Sequence, residues 1–195
     1  MKKTLLIALL LIPFLGISQT TKPIDGFLGI KFGSSKATVI TALKTKGAIL
    51  DKEDSKADEL IFTNVKLGQR GAEALYVFFV SDKVYAAAFD FKPDDRPTTV
   101  GYYSRLVDDI NGVYGSGKPY KHFKTPYEEG DGAEIVALQS GYAQMFTDWE
   151  SGKNSIQVSI KHDNDDDLYI LLRYEDGVLS EAANAKEKAK DKADY

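Results

Sequence analysis

Two neighbouring segments, Ala72–Val80 and Val84–Phe91, are apolar on both of their alternating faces. In the first, Leu75, Val77 and Phe79 fall on one side, and Tyr76, Phe78 and Val80 on the other. The second sets Tyr85, Ala87, Phe89 and Phe91 against Val84, Ala86 and Ala88. A strand packed on one side only alternates apolar with polar residues. Ser155–His162 does this, with Gln157, Ser159 and Lys161 on one face. Joined by Ser81-Asp82-Lys83, the two apolar segments predict an antiparallel hairpin. It is either covered on both sides or holds one apolar face open, and it rules out an all-helical fold.

Further elements follow from local pattern. Phe27-Leu28-Gly29-Ile30-Lys31-Phe32 reads as an extended piece stopped by Gly33. Ser34 or Ser35 then caps a helix from Lys36 to about Lys46, because a serine oxygen accepts an orphan backbone N–H. Val39, Ile40 and Leu43 form its apolar stripe. Asp51–Glu59 is so densely charged that a solvated loop is expected, followed by a strand over Leu60–Leu67 and a turn at Gly68–Gly71. Pro97 suits the first turn of a second helix. Val100, Tyr103, Leu106, Val107, Ile110 and Tyr114 recur at helical spacing up to the Gly112–Gly115 stop. A long loop is expected next, then a short strand at Ile135–Leu138. Further strands are expected at Tyr142–Trp149, Ser155–His162 and Leu168–Tyr174.

The predicted class is α+β, an antiparallel sheet with helices on one face, in a single domain over residues 19–177. Two pseudo-repeated units of one helix and three strands, 27–91 and 97–174, are the variant. Residues 178–195 are rich in Ala, Lys and acids, with no apolar stripe, and predict a frayed helix or a disordered tail.

Lys2 and Lys3 precede an apolar run that ends at Gly16-Ile17-Ser18. A charged start, an apolar stretch and small residues at its exit describe a secretory signal peptide over residues 1–18, cut before Gln19. Thr4–Ile17 is shorter than the ~20 residues a spanning helix requires, so no stable membrane anchor is expected after cleavage. A periplasmic or secreted address follows. Loss of the two leader lysines takes the formal net charge from −4 to −6. Such a surface does not attract phosphate backbones, so nucleic acid is not an expected partner. With 0 Cys the chain has no disulfide, thiol nucleophile or thiolate metal site, and two His are few for catalysis.

The segment Phe27–Ser35 followed by Val39 and Leu43, and the later Val77–Tyr85, resemble parts of small exported bacterial proteins in which a helical unit leads into an antiparallel sheet. The chain is similar in element order to the β-lactamase-inhibitor-protein type and to the small outer-membrane-assembly lipoproteins. The resemblance implies an extracytoplasmic binding or assembly role and transfers no functional residues. Those units carry a helical hairpin where one helix is predicted here, and the lipoproteins need a Cys that this chain lacks.

Candidate chemistry is sparse. Gly112–Pro119 matches a phosphate-loop spacing, but Pro119 stands where a magnesium-binding hydroxyl is required, and a helix end explains the same residues. Asp163, Asp165 and Asp167 alternate like the first half of a calcium loop; Leu168 and Tyr174 replace its Gly and Glu. A solvated turn or a weak calcium site both fit. No metal or other cofactor is otherwise expected. His122 and His162 lack a nucleophile motif beside them. Glu128, Glu129, Asp131 and Glu134 could supply a carboxylate pair for hydrolysis of an envelope or polysaccharide polymer. The favoured expectation is a non-enzymatic protein that binds a protein or small ligand of the cell envelope. Its contacts would be Tyr76, Phe78, Tyr85 and Phe89, with Trp149 added. The hydrolase is the alternative.

Overall fold

The computed structural model describes residues 22–93, 98–164 and 167–193. The leader, Pro97 and Asp165 lie outside the described residues. The chain is α+β. It opens with a small hairpin, Gly26–Phe27 (β1) and Ile30–Lys31 (β2), turned by Leu28 and Gly29. Lys36–Thr45 (α1) follows, and the Ser35 hydroxyl accepts from the Thr38 amide at 3.3 Å. Next come Ile49–Lys56 (β3), Glu59–Thr63 (β4), Val65–Leu67 (β5), Arg70–Ala72 (β6), Ala74–Val80 (β7) and Lys83–Phe91 (β8). Thr99–Tyr114 (α2) leads into Lys118–Phe123 (β9) and Glu134–Gln139 (α3). Ala143–Ser151 (β10), Asn154–His162 (β11), Leu168–Asp176 (β12) and Gly177–Ala193 (α4) complete the order.

Eight strands form one antiparallel sheet in the order β3-β4-β7-β8-β12-β11-β10-β9. Each half of the chain contributes four neighbouring strands, and their last members, β8 and β12, meet at the centre. The sequence predicted three per half. The missing members, β3 and β9, are the two edges. Edge strands in natural sheets carry charge that blocks further pairing, so they show no apolar alternation. Hence Asp51–Glu59 is mostly strand, not loop, and the expected loop after Gly115 contains β9.

Three other segments differ from expectation. Leu60–Leu67 breaks at Asn64, whose φ of 55° turns the chain out of the sheet into the separate β5–β6 hairpin. Ile135–Leu138 lies in helix α3; four apolar residues fit either structure, and Ala137 and Leu138 face the core. The charged terminal stretch is helical in α4, with Ser180 buried and contacts to β7, β8, β11 and β12.

The core lies between α1–α3 and one face of the sheet. Val39 and Leu43 of α1, Leu106 and Ile110 of α2 and Leu138 of α3 pack into one cluster with Leu75, Phe89, Val158 and Leu172. Phe89 is its hub, with ring centroids 6.4 Å from Phe27, 6.3 Å from Phe91 and 6.1 Å from Tyr174. Among the described residues, the helix against the opposite, outer face is α4, at one end, where it bounds a hollow with Phe78 and Tyr85.

Candidate functional site

The outer face is built by strand alternation. Successive residues of β10 and β12 switch between buried and half-buried or exposed, so Phe146, Asp148, Tyr169, Leu171 and Arg173 point outward. Register sets them in cross-strand rows. One row runs Ala74, Asp90, Leu171, Ser159, Phe146, Tyr120. The adjacent row runs Tyr76, Ala88, Arg173, Gln157, Asp148, Lys118. Phe146 stacks on Tyr120 with centroids 4.6 Å apart.

Tyr76, Phe78 and Tyr85 lie on this outer face and are half-buried. Phe89 and Trp149 do not. They belong to the core, at 0% and 4% exposure, which removes both as surface contacts. Simple alternation placed Tyr85 and Phe89 on one side. Phe78 pairs with Ala86 and Phe79 with Val84, so Tyr85 is an extra residue. This bulge turns Tyr85 outward, where its ring centroid is 6.2 Å from that of Phe78. Tyr120, Phe146, Tyr169 and Leu171 join the face. Phe146 and Leu171 were legible from the alternation of their strands; Tyr120 sits on an edge strand with no such signal.

Two polar atoms on this face are buried without a hydrogen-bond partner among the described residues, Asp90 Oδ1 and Ser159 Oγ. They flank Leu171 in a single row. Burial raises the Asp90 carboxyl above its ordinary range, with Lys92 opposing and Glu73 and Asp163 adding to the shift. Tyr76 is raised chiefly by burial and further by the charge of Asp90.

The acidic loop is occupied with its own backbone. Asp131 accepts from the amides of Glu128 and Ala133, which hold its carboxyl below the usual range. Glu134 accepts from the Gly130 amide, and Glu129 pairs with Lys121 at 2.6 Å. His122 is exposed beside Tyr120. His162 is exposed next to the Asp163 carbonyl. Asp163 accepts from the Asp167 amide and pairs with Lys92 at 3.5 Å. Among the described residues no group of three or more metal-ligating side chains converges.

A second concavity lies on the helical side. The β1–β2 hairpin, the β5–β6 hairpin and the last turns of α2 enclose a cleft of about 970 Å³. Phe27, Ile30, Leu67, Leu106 and Ile110 make its walls apolar. Tyr174 is the one lining residue that the eight-stranded sheet provides. At the mouth, Leu28 holds a φ of 48°, a strained conformation for a branched apolar residue. Gly26 opposite cannot be replaced, since a Cβ would stand 1.9 Å from the Ile30 carbonyl oxygen.

No described helix is long and apolar enough to cross a membrane. Comparison with protein-family models, curated proteins and solved structures finds no match for the chain.

Proposed function

We propose that the chain is an exported binding protein that engages a protein or ligand of the cell envelope through the outer face of its sheet, without chemistry of its own. One observation carries this reading. The outer face presents Tyr76, Phe78, Phe146 and Leu171 half-buried, and no helix among the described residues covers it except α4 at one end. These apolar groups alternate with Asp90, Arg173, Gln157 and Asp148, the mixture of aromatic, arginine and polar groups that interaction surfaces carry. Export rests on Lys2, Lys3 and the apolar run behind them.

The test is cross-linking in cells that produce the full chain, with mass spectrometry of the products. A partner should be captured by the wild type and by Val136→Asp, an exposed position of α3, and lost with Tyr76→Ser combined with Phe146→Ser. Capture unaffected by the double variant sinks the sheet-face reading. Met1 intact on protein from the cell interior sinks the address.

A further inference from the structure

We infer that the cleft between α2 and the two small hairpins is a second binding site, independent of the sheet face, for a single-chain amphiphile bearing one anionic group. The volume, about 970 Å³, is at the upper end of small-ligand pockets. Its walls make no polar demand on a ligand along Phe27, Ile30, Leu67, Leu106 and Ile110, which selects an apolar body. Leaving such walls to water is unfavourable in proportion to their area.

The polar groups of the cleft are Tyr174, Tyr114, Gln69 and five charged side chains. Tyr174 is 4% exposed, and its hydroxyl has no hydrogen-bond partner among the described residues. Its place among the lining residues lets a ligand atom supply one. At the rim stand three cations, Lys22, Lys31 and Arg70, and two acids, Asp25 and Asp109. Arg70 holds Asp109 at 2.7 Å, which neutralises both. Lys22 and Lys31 pair with no carboxylate among the described residues; Lys22 lies 5.6 Å from the Tyr114 ring centroid. Against Asp25 alone, the rim keeps one positive charge on a protein whose formal net charge is −4. That local inversion attracts an anionic head and disfavours a cationic one.

The probe is 11-(dansylamino)undecanoate, titrated by fluorescence against the whole protein. Saturable binding displaced by dodecanoate, and far less by dodecyltrimethylammonium, is expected. Val113→Trp, which fills the mouth from a half-exposed helical position, should abolish it. Tyr174→Phe should weaken it, and Lys22→Glu with Lys31→Glu should weaken dodecanoate about ten-fold while sparing an uncharged dodecyl maltoside. Phe146→Ser, on the sheet face, should leave binding unchanged. The proposal is overturned by absent or unsaturable binding, by equal displacement with the cationic amphiphile, or by binding that survives Val113→Trp. Loss of binding in Phe146→Ser overturns it too, since the probe would then sit on the sheet. Adsorption to phosphatidylglycerol vesicles that dodecanoate does not compete also overturns it.

Discussion

The guanidinium of Arg173 lies 5.3 Å from the centroid of the Phe78 ring, although an entire strand, β8, separates them in the sheet. The reach is open because β8 carries Ala88 opposite Arg173 and Ala86 opposite Phe78. Glu175, two residues on, accepts from Arg173 Nε at 2.6 Å and fixes the head group. Both alanines are buried, Ala86 at 0% and Ala88 at 4% exposure. The small side chains are therefore a requirement of the outer face.

Arg173→Met keeps the stem and removes the charge. It should lower stability by about 0.5–1 kcal/mol, the usual worth of a cation over a ring at a partly exposed site. Ala88→Leu should cost about 1–3 kcal/mol, because the added methylenes take the space that the arginine crosses. Urea denaturation reads both as a lower midpoint at unchanged slope. An Ala88→Leu variant as stable as the wild type would show that the bridge is not held.

Asp90 gives a pH-dependent expectation. Its carboxyl is raised mainly by burial, so the folded state holds the proton more tightly than the unfolded chain. Stability then falls as pH rises from the ordinary value of 3.8 through the raised one, and the penalty is complete above it. Asp90→Asn mimics the neutral form. Its Tm should exceed that of the wild type at neutral pH, and the difference should shrink as pH drops below 3.8.

Where the sequence was legible, burial on one face made it so. β10, β11 and β12 alternate because α2 and α3 pack on only one side of them. The apolar hairpin was legible as two-sided, since Ala86 and Ala88 are buried on the outer face as well. The edges β3 and β9 were not legible, since no burial constrains Asp51–Lys56 or Lys118–His122. The bulge at Tyr85 leaves no mark in composition, and it alone separates Tyr85 from Phe89. The cleft is formed by Leu28, Leu67 and Ile110, residues far apart in sequence, and only the folded chain brings them together.

Tyr103 and Thr147 share a buried hydroxyl pair at 2.6 Å, joining α2 to the centre of β10. Tyr103→Phe strands the Thr147 hydroxyl at 2% exposure and should cost about 1–3 kcal/mol. Adding Thr147→Val removes the orphan, so the double variant should be more stable than the sum of the singles requires. A thermodynamic cycle with a coupling of about 0.5–3 kcal/mol is expected. Strict additivity would mean that the two hydroxyls do not interact.

Tyr174 sets behaviour at the alkaline end. Burial pushes its phenol well above the ordinary 10.0, and Tyr103 and Tyr114 shift the same way for the same cause. The unfolded chain releases these protons first, so stability present below pH 10 is lost as pH rises above it. Tyr174→Phe should flatten this alkaline loss, followed as Tm against pH. Ultraviolet titration of the wild type should show Tyr103, Tyr114 and Tyr174 as a set of phenols that ionise only on unfolding. A normal titration of all tyrosines in the folded state would refute it.

The glycine-rich stretch Gly112–Pro119 finds its purpose in Trp149. The indole Nε1 donates to the Gly115 carbonyl at 2.8 Å and to Asn111 Oδ1 at 3.1 Å. The Gly117 amide donates to that same asparagine oxygen at 2.9 Å. A Cβ at position 117 would stand 2.5 Å from the indole and 2.6 Å from Thr147 Cγ2. Glycine is needed there so that the chain leaving α2 can lie flat against the tryptophan. At Gly112, inside α2, a Cβ would meet nothing. The two glycines therefore predict opposite signs. Gly117→Ala should destabilise by about 1–3 kcal/mol and shift the tryptophan emission, because the indole must move. Gly112→Ala should stabilise by about 0.5–1 kcal/mol, since alanine loses less entropy in a helix. Thermal unfolding followed by tryptophan fluorescence separates the two. Effects of the same sign at the two positions would refute this assignment of the two glycines.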